Sequence, residues 1–345
     1  MSLFDRQSLL TAGAAGSVGD AHDFQVAADR CLSLGDEATA LIALDRAYGL
    51  APHDAAITSM RAALLDRFAV EEHGLVFRYV PAGTFSMGSM TGDPDERPVH
   101  PVTLDQFWIA EIPMTWTAFS ELAGWSAPPD SRPPDAEANE RGRFVHHGNK
   151  IRVQYCSSGG SDSGPWPERL GKFDRKPMVA VSWNDAERLA KRMSNDRVEY
   201  ALPSEAEWEK AARGGLIGKR YPWGDEPPTR ERCDFDHFGE WELADPCTLP
   251  PNGYGVHGMA GGVWEWTAAV YDALAYGGAQ TPAIDPSVYE ADLDDVPEDQ
   301  PLQRVLRGGS WTDAAAAVTV SFRAAAVASF NPNVGFRLVR RVRAR

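Results

Sequence analysis

The chain has 345 residues, enough for two domains of roughly 100–200 residues each. Its 43% hydrophobic and 24% charged content is that of a globular protein and excludes a wholly disordered chain. With 49 acidic against 34 basic residues the formal net charge is −15, the opposite of the basic footprint of a nucleic-acid binder, which excludes nucleic acid as the main ligand.

Near the start, the apolar stretch Leu9–Ala15 is too short and too rich in glycine for a membrane span of about 20 residues. Asp5 stands where a signal peptide wants positive charge. The expectation is a cytoplasmic protein with no membrane partner, residues 1–21 forming an extension. Residues 22–73 read as helical. Ala28, Cys31, Leu32 and Leu34 precede Gly35-Asp36, and Ala40, Leu41, Leu44, Ala47 and Leu50 recur at helical spacing up to Pro52. A third helix is predicted over Ala55–Phe68. The pattern resembles one tetratricopeptide unit, with small Ala40 and Ala47 where its helices meet. A single unit of that kind leaves its apolar stripe uncovered, so it is expected to dock on the domain C-terminal to it.

From Leu75 the texture changes. Leu75–Val80 alternates as a strand does, and Val99–Ile109 is strand-like again. Helices are predicted over Trp183–Ser194, capped by Ser182, and over Ser204–Arg213, where Ser204 and Glu207 have the spacing of a capping box. Between them and the first strands lies a long Pro/Gly/Ser-rich loop, 126–172, and an acidic loop spans 277–303. The acidic loop lacks the ligand spacing and glycine turn of a calcium loop and reads as a solvated face. Eleven Trp, 25 Pro and 31 Gly point to a loop-rich fold pinned by large aromatics. The four cysteines, Cys31, Cys156, Cys233 and Cys247, form no CxxC pair and no disulfide framework, and a Cys233–Cys247 bridge stays open.

Residues 74–345 carry a set of motifs in a fixed order. They include Pro81-Ala82-Gly83-Thr84-Phe85-Ser86-Met87-Gly88, Leu202-Pro203-Ser204-Glu205-Ala206-Glu207-Trp208-Glu209, Tyr221-Pro222-Trp223-Gly224, Gly261-Gly262-Val263-Trp264-Glu265-Trp266, Arg307-Gly308-Gly309-Ser310-Trp311 and Gly335-Phe336-Arg337-Leu338. As a set they resemble the sulfatase-modifying-factor family. The resemblance implies an α+β fold, the formylglycine-generating-enzyme-like variant of the C-type-lectin fold with little regular secondary structure, here preceded by a small helical domain. That family holds formylglycine-generating enzymes, iron-dependent sulfoxide synthases, a siderophore-maturation oxidase and binding proteins diversified by retroelements.

The site positions decide among these. The generating enzymes bind copper(I) through two cysteines just after the Gly-Gly-Ser-aromatic motif, soft ligands suited to that ion. Here Asp313 stands at the first position and Val318 or Thr319 at the second, and no cysteine follows Cys247. Copper and formylglycine generation are therefore not expected. The histidine pattern by which the sulfoxide synthases hold iron is absent from the N-terminal region, where His22, His53 and His73 are far apart. A metal site joining His146 or His147 to His237 or His257 stays conceivable; loop histidines are the plainer reading. Calcium is implied as a structural ion, through the carbonyls of Gly261 and Val263 and the carboxylate of Glu265, with a second site at Asp234. Gly258 and Gly262 occupy positions where relatives place asparagine, and an ion that wants about six to eight oxygens is weakened by their loss.

Two function classes remain open. The first is a binding module, for a protein or a small molecule, with Trp311, Thr312, Asp313, Ser321, Phe330, Asn331 and Asn333 on its contact surface. The second is an oxidoreductase of the same superfamily acting on a small molecule or peptide, with Asp313 beside His257 or His100 as the first acid–base pair to seek. A retroelement-diversified ligand-binding protein is a further form of the first class.

Overall fold

The computed structural model describes residues 6–11, 19–124, 175–179, 181–237, 243–277, 302–328 and 333–343. The long loop 126–172 with its two histidines and Cys156, most of the acidic loop 277–303, and Phe330 and Asn331 lie outside the described residues.

The chain opens with α1 (Arg6–Thr11), α2 (Ala21–Ser33), α3 (Glu37–Leu50) and α4 (Ala55–Arg67). Each of the last three begins at an aspartate whose side chain accepts backbone N–H groups that a helix start leaves unpaired: Asp20 from Asp23, Asp36 from Thr39, Asp54 from Ala56 and Ile57. In α3, Ala40, Leu41, Ile42, Ala43, Leu44 and Ala47 are all buried. A helix apolar on every side has to be covered on every side. Two of its neighbours are α2 and α4, and the body of the protein supplies the rest.

That body is built on a five-stranded antiparallel sheet in the order β1-β2-β5-β11-β6, formed by Val70–Glu72, Leu75–Val80, Phe107–Ala110, Val339–Val342 and Val198–Ala201. A second sheet runs β10-β7-β8-β9, from Val334–Gly335, Trp264–Val270, Gln303–Arg307 and Ala324–Val327. A hairpin joins β3 (Gly83–Met87) to β4 (His100–Leu104). The strand predicted over Val99–Ile109 is thus two strands. It breaks at the exposed pair Asp105-Gln106, where the chain leaves the hairpin and enters the large sheet. The helical region ends at Arg67, since Val70–Glu72 is already a strand, closed onto β2 by the two-residue turn His73-Gly74 with both φ values positive. Among the described residues the body also holds the helices α5 (Trp116–Leu122), α6 (Trp183–Met193) and α7 (Glu205–Arg213). The predicted caps are in place on the last two, with Ser182 accepting from Asp185 N and Ser204 from Glu207 N. The seven-residue α5 had no sequence signal long enough to be read.

The helical unit and the body share one apolar core that runs from Phe24, Leu41 and Leu65 to Tyr79, Phe107, Trp208 and Val339. Polar contacts lock the same junction. Arg61, 2% exposed, donates through Nε and Nη2 to Asp45 Oδ1 (3.0 and 2.6 Å), and through Nη1 and Nη2 to the carbonyls of Gly253 and Gly214. Tyr254 donates its hydroxyl to Asp45 Oδ2 at 2.9 Å, and the Arg61 guanidinium lies over the rings of Tyr48 and Tyr254. Burial by itself would raise the Asp45 carboxyl; Arg61, Arg46 and Lys210 outweigh it and hold the group below the usual carboxylate range. The close approach depends on glycine: a Cβ on Gly253 would stand 2.3 Å from Gly214 O. The expected docking of the helices is therefore met by a continuous core and a buried ion pair.

Two outcomes are expected. Arg61→Met leaves Asp45 buried without its counter-charge and should cost about 3–5 kcal/mol in urea unfolding. Lys210 titrates abnormally: burial, with Arg46 adding to it and Asp45 opposing it, pushes its pKa down to about 7. Between that value and the ordinary lysine value of about 10.4, the unfolded chain holds a proton that the folded chain lacks, so this group's contribution to stability rises with pH. The stability difference between wild type and Lys210→Met, followed from pH 7 to 9, should shift in favour of wild type by up to ~1.4 kcal/mol per pH unit.

Candidate functional site

The turn that follows β8 (Gln303–Arg307) leads into Asp313 and Val318, two of the positions that the resemblance set against a cysteine pair. Gly308 and Gly309 have positive φ, and a Cβ on Gly309 would meet Val318 Cγ1 at 2.8 Å. The turn is therefore packed from beneath, and only glycine fits. It delivers Ser310, fully buried, as the hub of a small polar network. Asp313 Oδ2 accepts from both the Ser310 N–H (2.9 Å) and the Ser310 hydroxyl, Asn333 Nδ2 donates to Ser310 Oγ at 3.1 Å, and Thr312 Oγ1 lies 3.0 Å from it. The Asp313 carboxylate thus closes its own turn, a job short polar side chains do well.

Of the residues assigned to a contact surface, Thr312, Asp313 and Asn333 are gathered here, half-buried. Trp311 and Ser321 are not on the surface. Trp311 is 1% exposed, packed with Trp264, Trp266 and Phe336, its backbone N–H donating to Gly262 O and its carbonyl accepting from His237 N. Ser321 is buried, and its carbonyl accepts from Arg307. An aromatic after Gly-Gly-Ser is as good a core residue as an anchor, and only packing distinguishes the two. Val318 is fully buried.

Both carboxylates named for calcium have partners within the chain. Glu265 lies fully buried with both oxygens engaged: Arg337 donates to Oε2 and Oε1 at 2.7 Å each, and Trp208 Nε1 donates to Oε2 at 2.7 Å. Gly262, at the position between Gly261 and Val263, donates to the Asp234 carbonyl and accepts from Trp311, and a Cβ on Gly261 would fall 2.1 Å from Asp234 O. The Asp234 carboxylate is hydrogen-bonded to His237 Nε2 and to Ala244 N. Arginine and tryptophan thus occupy the Glu265 carboxylate, and histidine that of Asp234. Among the described residues no group of three His, Cys, Asp or Glu is arranged to hold a metal. Cys233 and Cys247 are both free thiols, so the bridge left open is not formed.

The histidines are also rearranged relative to expectation. His257 is held by Leu249 O and faces Glu111, and His100 is held by Pro98 O against the ring of Tyr276. The histidine lying along the Trp311–Asp313 segment is His237. Its backbone N–H meets Trp311 O, and Asp236 N meets Asp313 O, each at 3.0 Å. His237 is 8% exposed, is paired with Asp234, and keeps Nδ1 buried without a hydrogen-bond partner. Nothing in its spacing from Asp313 marks this pairing; it results from a loop folding back across 74 residues of chain. Ser310 was visible only as part of a motif, and its role as hub needs the turn geometry.

Residues 63–342 match the description of the Sulfatase-modifying factor enzyme 1-like domain. A formylglycine-generating enzyme of Streptomyces coelicolor is 34% identical over 267 residues, covering 67% of this chain and 77% of that protein. An inactive C-alpha-formylglycine-generating enzyme 2 of Bos taurus is 31% identical over 263 residues, covering 68% and 76%. Among solved structures, variable protein 1 of Treponema denticola superposes with a TM-score of 0.55 at 18% identity, over 77% of this chain and 94% of that one, which is a likeness of fold. The architecture is the formylglycine-generating-enzyme-like form of the C-type-lectin fold, with helices added at its N-terminus. On the match over residues 63–342, and on the motifs that carry it, the chain belongs to the Sulfatase-modifying factor enzyme 1-like family.

Proposed function

We propose that this protein recognises an extended peptide on the surface around Thr312, Asp313 and Asn333 and does not generate formylglycine. The observation that carries the reading is the replacement of the reactive pair. Asp313 is tied to Ser310, and the second position is Val318 or Thr319, both buried, so neither position offers a thiolate nucleophile or a soft metal ligand. The scaffold motifs around it are kept, apart from Gly258 and Gly262. A bovine relative bearing the name inactive supports a family branch that keeps the fold without the chemistry.

The peptide class is read from β9. Among the described residues it is an edge strand, bonded to β8 alone in its sheet, and such a strand offers backbone groups to an incoming chain. Ala324 and Ala326 pack inward while Val327 stands 37% exposed, so Ala325 and Val327 form a low outward face. The half-buried ring of Phe322 packs against Trp264 at its near end. The helical unit, tetratricopeptide-like in our reading, serves as a seat beneath the body. A second reading, an oxidoreductase acting on a small molecule or peptide, is favoured by one observation: the Asp234–His237 pair sits against the backbone of Trp311 and Asp313 with Nδ1 unpartnered. Such a pair is able to move a proton.

A cysteine peptide bearing the sulfatase motif, incubated with the protein, copper(I) and oxygen, is expected to keep its thiol by mass spectrometry; aldehyde formed over many turnovers would instead establish an enzyme. In a random-peptide display selection, the protein is expected to enrich extended sequences. Ala325→Lys with Val327→Lys should reduce their capture tenfold or more with an unchanged melting temperature. Equal capture by that variant, or no enrichment, would remove the edge strand as the contact surface.

A further inference from the structure

A small cleft lies where α3 meets the body, lined among others by Asp45, Arg46, Ser86, Lys210, Arg213 and Tyr254. Its charges do not balance. Asp45 is consumed by Arg61 and Tyr254, and Glu209 by Arg213 and Arg307. Arg46 and Lys210 make their hydrogen bonds to backbone carbonyls and share the charge of Asp45 only at longer range. Lys210 Nζ donates to Pro81 O (2.6 Å) and Gly83 O (3.0 Å), and Arg46 Nη2 donates to Thr84 O. Both cations thus end on one short segment, 81–84, from opposite sides of the cleft. Arg46 Nε is buried with no hydrogen-bond partner, and Lys210 is only 4% exposed. Burial lowers the pKa of both groups by more than the charge of Asp45 restores. The exposed Asp105 is the other carboxylate whose charge reaches Lys210, from the far side of the β3–β4 hairpin.

We propose that this cleft binds a small oxyanion of the phosphate class, held between the Arg46 guanidinium and the Lys210 ammonium. A guanidinium edge and an ammonium are the donor pair suited to a compact anion with several oxygens. The orphaned Arg46 Nε and the third N–H of Lys210 supply donors not used by the chain. The ligand would balance charge at the seat of the helical unit, and so stabilise the helices against the body.

The test uses the full chain and inorganic phosphate, titrated by calorimetry and by thermal melting at constant ionic strength, with acetate and chloride arms. Saturable phosphate binding is expected, with a melting temperature that rises with phosphate and not with chloride. Arg46→Gln should weaken the affinity at least tenfold, and Arg67→Gln, at an exposed pair with Glu37, should leave it unchanged. Should Arg46→Gln fail to fold, the wild-type titration decides by itself. No saturable binding, a stabilisation that follows ionic strength alone, equal affinity in Arg46→Gln, or acetate binding as tightly as phosphate would each overturn the proposal.

Discussion

Everything in this fold is braced by guanidinium–carboxylate pairs taken out of water. The helix Glu205–Arg213 carries Glu205, Glu207, Glu209, Lys210 and Arg213, all buried. In a low-dielectric interior each charge costs several kcal/mol unless a partner meets it with good geometry. Most of the partners come from distant places in the chain. Arg323 donates to Glu205, Arg307 and Arg213 meet Glu209, and Arg341 meets Glu207. Glu265 of β7 is met by Arg337, with Trp208 of the same helix donating to it. A helix that binds strands β8 and β11 and the 320s loop through charge has little freedom of position. That compensates for the scarcity of long regular elements, because a loop-rich body is held at points instead of along ladders.

The N-terminal helices extend the same logic. Their attachment combines non-directional burial, through Leu41, Leu44 and Leu65, with one directional element, Arg61 reaching Asp45 and the carbonyls of Gly214 and Gly253. Burial fixes that the faces meet, and the guanidinium fixes how. Trp108 donating to Phe68 O and Arg78 pairing with Asp66 repeat the pattern at the rim. Folding of the helices and of the sheet is coupled through this core, so the helical unit behaves as part of the body and not as an appended module.

At the turn after β8 the scaffold and the chemistry separate. Gly308, Gly309, Ser310 and Trp311 serve the fold: the glycines allow the packed turn, the serine gathers Asp313, Thr312 and Asn333, and the tryptophan fills the core between the sheets. These demands hold whether or not the next residues are thiols. A carboxylate at Asp313 satisfies the turn through Ser310, and an aliphatic Val318 satisfies the packing against Gly309.

The sequence by itself determined the helices of residues 21–67, the capped helices after Ser182 and Ser204, and the family body from its ordered motifs. Those signals are local: aspartate and serine caps, 3.6-residue spacing, glycine-bearing turns. It also determined that no cysteine stands after Cys247. Only the tertiary structure decided which polar residues meet. Trp311 went into the core while Asp313, half-buried, folded back onto Ser310, a difference that their nearby positions do not encode. Glu265, eligible as a calcium ligand by its motif, is claimed by Arg337, 72 residues away. His237, not His257 or His100, came to lie along Asp313, and Arg46 and Lys210 came to share one cleft. Each of these pairings joins residues far apart in the chain, and charge and hydrogen bonding act on distance in space, which sequence spacing does not report.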